Sequence, residues 1–215
     1  MLTAAVLISR SVGVAEFDED VTASMSTLRH PVLTAIAQII TDLGSYRPVA
    51  VVSFSLAVVV GYRTRRLLEP VVLLAAVEVG TSLVELLKVA TGRARPPTDG
   101  VLGVPVFDYS FPSGHTASGT VLCVLAAVLL ALTETQNSTR RLLIVAGLVV
   151  GCLIGWSRVY LGYHWFTDVV GGWLLAAAVT SVAMAFVSAN QRQIGIFRCV
   201  TRSTRLTLSL GSPVW

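Results

Sequence analysis

From residue 44 onward the chain is a series of long apolar runs separated by short polar stretches. A membrane-spanning helix needs roughly 20 mostly apolar residues. Tyr109–Thr133 and Val169–Gln191 satisfy this without a single Asp, Glu, Lys or Arg. Leu142–Ser157 is shorter and apolar throughout. Gly44–Tyr62 carries Arg47 near one end, where a long cationic side chain can reach the headgroups. Leu67–Ala90 carries Glu78, Glu85 and Lys88. Five spans with short connections predict an all-α, polytopic transmembrane helical bundle. Residues 1–30 read as an N-terminal segment, 31–190 as the bundle, and 191–215 as a basic tail with Arg192, Arg198, Arg202 and Arg205.

The start of the chain is less regular. Met1–Ala15 is apolar but short, and Arg10 interrupts it. It lacks the basic start and cleavage site of a signal peptide, so it reads as the remnant of a first span. Glu16–Asp20 reads as an acidic stop. Pro31–Ile40 reads as a short amphipathic segment lying at the membrane surface.

Composition agrees with the pattern. Of the 215 residues, 54% are hydrophobic and 13% charged, where a soluble domain carries about 25% charge. The mean hydropathy is +0.75. These values exclude a soluble globular enzyme, a disordered chain and a nucleic-acid-binding domain. The net charge of +4 comes almost wholly from arginine, since Lys88 is the only lysine. Basic residues collect in cytoplasmic loops. One side of the predicted bundle receives Arg63, Arg65, Arg66, Arg140, Arg141 and the tail arginines, and should be cytoplasmic. The other receives Glu16–Asp20, Asp42, Asp99 and Asp108, with loops 91–114 and 158–168, and should face outward. Cys123 and Cys152 sit in apolar runs, Cys199 lies in the tail, and no CxxC spacing exists, so no zinc site or disulfide framework is expected.

The two outward loops carry the chemistry. Lys88, Arg93 and Arg95-Pro96 open the first, and Pro112-Ser113-Gly114-His115 closes it. Ser157-Arg158, His164 and Asp168 lie in or beside the second. His164 and Asp168 are one helical turn apart, so Asp168 can accept the Nδ1–H of His164 and leave Nε2 free to attack an electrophile. Asp168 should also raise the pKa of that histidine. Pro112–His115 stands where a loop becomes a helix, and a helix start offers free N–H groups and a partial positive charge to a phosphate. Gly114 removes a side chain from that approach, and Ser113 adds a hydroxyl. Lys88, Arg95 and Arg158, from three helix ends, could clamp a dianion and the charge of a pentavalent transition state. Taken singly, each residue has an ordinary explanation as an interfacial polar group, a topology signal or a helix cap. Together they do not, because scarce residue types gather at one membrane face.

Lys88–Pro96 fits K-x6-R-P, residues 112–115 are P-S-G-H, and residues 157–168 fit S-R-x5-H-x3-D. The blocks are separated by 15 residues (97–111) and 41 residues (116–156). This arrangement resembles the type 2 phosphatidic acid phosphatase (PAP2) superfamily, whose site is shared with vanadium haloperoxidases. The resemblance covers about residues 40–190. It implies a helical bundle, usually of six spans, with a metal-independent phosphatase site at one membrane face and no cofactor. It implies that His164 is the nucleophile, that Asp168 orients and charges it, and that His115 is the general acid for the leaving alkoxide. It assigns phosphate binding to Lys88, Arg95, Ser113, Gly114 and Arg158.

The expected activity is hydrolysis of a lipid phosphate: phosphatidic acid, phosphatidylglycerol phosphate, or a polyprenyl phosphate or diphosphate. A lipid phosphotransferase of the same superfamily and a non-enzymatic small transporter are the alternatives. A degenerate transporter should have lost a catalytic His or Asp, and none is missing. Several neighbours invite roles of their own. Glu85 could pair with Lys88, and Glu78 could make a polar contact inside the bundle or relay protons. Arg93 is placed to contact phosphate. Trp156, Tyr163 and Trp165 could form an interfacial belt or line a lipid entrance.

Overall fold

The computed structural model describes the backbone of residues 12–209 and the side chains of residues 13–192. Among the described residues, seven α-helices follow one another: α1 Val12–Thr27, α2 Pro31–Leu43, α3 Tyr46–Thr64, α4 Leu68–Thr91, α5 Gly114–Ala131, α6 Asn137–Tyr160 and α7 Phe166–Ser209. One 3-10 turn, Thr98–Gly100, lies in the long α4–α5 loop. Residues 1–11, with Arg10, and the side chains of Cys199, Arg198, Arg202 and Arg205 lie outside the described residues.

Among the described residues, α4, α5, α6 and the Phe166–Arg192 part of α7 are long and apolar enough to cross a membrane. A fifth span exists only when α2 and α3 are taken together, bent by 59° at Gly44-Ser45. The expectation that Gly44–Tyr62 spans alone is therefore changed. Arg47, Ser53, Ser55 and Arg63 dilute the apolar content of α3, and its partner supplies the rest.

The bundle is built around α5. In its 18-residue apolar window 61% of positions are buried, against 22–39% in the other three spans. Its core contacts are Val121, Leu122, Leu125 and Leu129 with Val60, Leu73, Val77, Ala176 and Val187 from the surrounding helices. The outer helices turn large apolar side chains outward, among them Phe54, Val71, Leu86, Leu142, Leu174 and Phe186. That inversion suits a hydrocarbon solvent. A trough of about 710 Å³ runs between α4 and α7, walled by side chains such as Val71, Val79, Leu83, Val182 and Phe186.

The helix order places the motif residues together. The end of α4, the starts of α3, α5 and α7, and the end of α6 all lie at one end of the bundle. Arg63, Arg65, Arg66, Arg140 and Arg141 lie at the other, where Arg63 pairs with Glu134 across two connections. At the motif end α4 stops at Gly92, whose φ of +57° suits a residue without Cβ. Its N–H closes on Lys88 O at 2.9 Å, and the chain turns there toward Arg93 and Arg95. Gly172 lets α7 approach α5: a Cβ there would lie 2.9 Å from Thr116 Cβ and 3.0 Å from Ser113 O.

The start of the chain differs from the expectation. Glu16–Asp20 does not stop a helix; α1 runs straight through it. Asp18 is buried to 1% exposure, while Glu16, Glu19 and Asp20 remain in solvent. One carboxylate inside this stretch has found a buried partner, and the others are the solvated face.

Candidate active site

His164 lies in the α6–α7 loop, 2% exposed, and Asp168 lies in the first turn of α7, fully buried. The His164 Nδ1 stands 3.4 Å from Asp168 Oδ2. The two meet as expected, but not on one helical face, since α7 begins at Phe166 and His164 precedes it. Ser110 Oγ also lies 3.4 Å from that Nδ1 and donates to Asp168 Oδ2. Asp168 Oδ2 further accepts the Trp165 N–H at 3.0 Å. The carboxylate is thus held on several sides. On the other side of the ring, Arg95 Nη1 faces His164 Nε2 at 3.1 Å.

The upward pull expected from Asp168 does not decide the pKa of His164. Burial holds it well below the ordinary imidazole value, and the charges of Arg158, Arg95 and Lys88 add to the depression, against a smaller opposing effect of Asp108. The ring therefore rests neutral, with Nε2 available as an acceptor.

His115 opens α5 beside Gly114. The first intrahelical bond runs from Ala117 N–H to Ser113 O at 3.0 Å, so the amides of Gly114, His115 and Thr116 precede any helical acceptor. No side chain caps this end. Ser113 is fully buried; its N–H donates to Asp168 O at 3.0 Å, and its Oγ accepts from Thr116 Oγ1 at 2.9 Å. The turn whose free amides suit a phosphate is thereby tied to the residue beside His164. The His115 Nε2 lies 3.2 Å from Ser45 Oγ, at the bend between α2 and α3. A cavity of about 210 Å³ beside it is lined by Tyr46, Val49, Thr81, Val84, Lys88 and Ser118, with Gly114 and His115.

The cations converge from separate elements. Arg158 is 4% exposed, donates to Thr41 Oγ1 at 2.7 Å, and lies 4.0 Å over the Tyr163 ring. Its Nε is buried without a hydrogen-bond partner, a donor left waiting for an acceptor. Lys88 pairs with Glu85 at 3.2 Å, as expected, and with Asp108 at 2.6 Å. Arg95 meets Asp108 Oδ1 through Nη2 at 2.5 Å and Nε at 2.8 Å. Burial alone would raise the Asp108 pKa, but the hydrogen bonds and charges of Lys88 and Arg95 outweigh it and hold the carboxylate below its usual range.

Arg93, expected to be placed for phosphate, faces two carboxylates instead. It is spent on Asp168 and Asp18, at 2.7 and 2.6 Å. Tyr163 lies under the Arg158 guanidinium, and Trp165 donates to Ala94 O at 3.0 Å, so both are tied to the frame of the site. Trp156 packs on Tyr160. Glu78 is exposed on α4, away from the polar contact inside the bundle that was one of its two expected roles. The sequence reading missed Asp18, Thr41, Ser45, Asp108 and Ser110 as site residues. Asp108 and Ser110 lay in the loop between two motif blocks, which was the one available signal.

A protein-family model for the PAP2 superfamily matches residues 66–192. The chain belongs to the PAP2 superfamily. Among curated relatives, phosphatidylglycerophosphatase B of Bacillus subtilis is 29% identical over 79% of this chain and 82% of that protein. Undecaprenyl-diphosphatase of Sulfolobus acidocaldarius is 35% identical, over 38% of this chain and only 35% of its own length. The chain therefore spans about a third of that relative and most of the Bacillus one. Among solved structures, a transmembrane PAP2-type phosphatidylglycerolphosphate phosphatase from Bacillus subtilis superposes with a TM-score of 0.79 at 24% identity, over 87% of this chain and 94% of that one. Aquifex aeolicus LpxE superposes with a TM-score of 0.60 at 25% identity, over 77% and 93%. The PAP2 fold and the apolar helices make this a multi-pass membrane protein.

Proposed function

We propose that this PAP2 protein is a membrane lipid-phosphate phosphatase working through a phosphohistidine, with His164 as nucleophile, His115 as general acid, and Lys88, Arg95, Arg158, Ser113 and Gly114 on the phosphate. The observation that carries the reading is the neutral, buried His164 with Nε2 directed at a cation from the motif, Arg95, at 3.1 Å. A phosphate placed there would take Arg95 as its own ligand and leave the Nε2 lone pair facing phosphorus.

In the first step Nε2 forms the P–N bond and the P–O bond to the lipid breaks. His115 gives its proton to the departing oxygen. Asp168 compensates the positive charge that His164 acquires. In the second step water attacks phosphorus, neutral His115 takes its proton, the P–N bond breaks, and inorganic phosphate leaves. Uncatalysed phosphate-monoester hydrolysis is among the slowest reactions known, with enzymatic accelerations of up to about 10²¹, and a covalent intermediate divides that barrier.

The cavity beside His115, with Tyr46, Val49 and Val84 on its walls, is suited to the apolar leaving group. Phosphatidylglycerol phosphate and a polyprenyl diphosphate are the substrates that the named relatives bring forward. We place the site on the extracytoplasmic side, from the arginines collected at the opposite end of the bundle. The test is phosphate release from diacyl and polyprenyl substrates by the purified chain, with and without EDTA. Release that survives EDTA and is blocked by vanadate supports the reading; loss in EDTA with recovery on Mg²⁺ refutes it. Transfer to an added alcohol in place of water would identify a phosphotransferase.

A further inference from the structure

Asp18 reaches the site from a helix that lies before every motif block. Its Oδ2 pairs with Arg93 Nη2 at 2.6 Å, and Arg93 Nη1 pairs with Asp168 Oδ1 at 2.7 Å. The Arg93 Nη1 also donates to Thr167 Oγ1 at 2.7 Å. Asp18 Oδ1 accepts the Thr167 backbone N–H at 2.9 Å, and Oδ2 accepts its hydroxyl at 2.5 Å. Phe17 meets Phe166 edge-on, with ring centres 5.9 Å apart. Asp18 is 1% exposed, Asp168 fully buried, and the Arg93 side chain 10% exposed.

The arrangement has an electrostatic purpose beyond packing. Arg93 alone would neutralise Asp168, leaving little negative charge for His164 when it becomes a cation. A second carboxylate on the same guanidinium restores one net negative charge to the group. Asp18 also supplies an acceptor to the first turn of α7, the turn that carries Asp168, where an anion is favoured. We propose that Asp18 is a positioning residue that acts through Arg93: it fixes Asp168 and sets the charge that Asp168 presents to His164. The proposal rests on the reading of His164 as nucleophile.

The other charged groups acting on His164 are Arg158, Arg95, Lys88 and Asp108. All of them stay in place in the variants that follow. In the full chain in detergent, Asp18→Asn adds one net positive charge near His164. It should lower kcat about tenfold with KM within twofold, and move the acid limb of kcat/KM down by about one pH unit. Arg93→Gln removes a positive charge and should move that limb up. The double variant should bring it back near the wild-type position, and Asp18→Glu should restore most of kcat. A merely structural Asp18 would lower activity in all of these without moving the limb, and that result overturns the proposal. If Asp18→Asn fails to fold, Arg93→Gln and the double variant decide: a limb at the same pH in both overturns it. Trapping of phosphohistidine in the wild type tests the underlying reading separately. With no trapped intermediate the nucleophile assignment fails; with one, and unmoved limbs, only the role of Asp18 fails.

Discussion

Arg95 directs its Nη1 at the Nε2 of His164 from 3.1 Å. A guanidinium can only donate, so Nε2 must accept, and the ring proton must sit on Nδ1. That nitrogen faces Asp168 and Ser110, both at 3.4 Å. Two neighbours on opposite sides of the ring thus fix one tautomer, the one with a lone pair aimed away from the carboxylate.

The acid limb of kcat/KM follows from the same ring. His164 is held well below the ordinary value of 6.5 by burial first, then by Arg158, Arg95 and Lys88. The neutral form attacks, so the acid limb set by this ring should lie below pH 6.5 rather than at it. Stability carries the same sign. An unfolded chain takes up a proton near 6.5 that the folded one refuses, so the folded state loses stability as pH falls below that value. A pH–rate profile on the free enzyme, with a thermal melt at each pH, checks both. A limb at 7 or above would contradict the neutral ring.

The two histidines should separate by leaving group. His164→Ala removes the atom that bonds to phosphorus, so it should show neither turnover nor trapped phosphoenzyme on any substrate. His115→Ala should lose about 10³-fold on an alkyl phosphate, about 4 kcal/mol, because an alkoxide leaves poorly without a proton. On p-nitrophenyl phosphate it should regain a measurable part, if that substrate is accepted. Rescue of His164→Ala by the aryl ester, with His115→Ala dead on both, would reverse the roles.

Asp108 stands on the two cations, Lys88 and Arg95, that are assigned to phosphate. An incoming phosphate must displace it. Asp108→Asn should therefore tighten inhibition by vanadate and by inorganic phosphate by about tenfold, since a competing carboxylate has been removed. Weaker inhibition would mean that Asp108 supports the cations instead of competing for them. Inhibition constants measured at two ionic strengths would also show the salt dependence expected of a pair whose carboxylate reaches solvent.

Sidedness can be read directly. Asp99→Cys, in the long α4–α5 loop, should be labelled by an impermeant thiol reagent in intact cells, and a reporter placed after Trp215 should be cytoplasmic. Labelling of Asp99→Cys only after permeabilisation would put the site on the other side.

The spans and the three motif blocks were legible in the sequence for physical reasons. Apolar runs of spanning length announce themselves, and His164 lies only four residues from Asp168, near enough to meet across the start of α7. What escaped were partners supplied by distant segments. Thr41 and Arg158 are 117 residues apart, Asp18 and Arg93 are 75, and Ser45 and His115 are 70. No periodicity encodes such pairings, and a buried Asp18 looks like its solvated neighbours until the fold brings Arg93 to it. The bend at Gly44-Ser45 was hidden for a similar reason. A Cβ at Gly44 would fall 3.0 Å from His115 O and 2.9 Å from Ile154, a constraint that only the packed helices impose.

The cavity beside His115 has walls of two kinds: Tyr46, Val49 and Val84 on one hand, Lys88 and Glu85 on the other. On the proposed reaction, its two products therefore part company by solubility. The alcohol remains among the acyl chains, while inorganic phosphate diffuses away in water. Recombination would require a molecule from each phase to meet again at the site. Dephosphorylation at such a seam is driven forward by dilution as well as by bond chemistry.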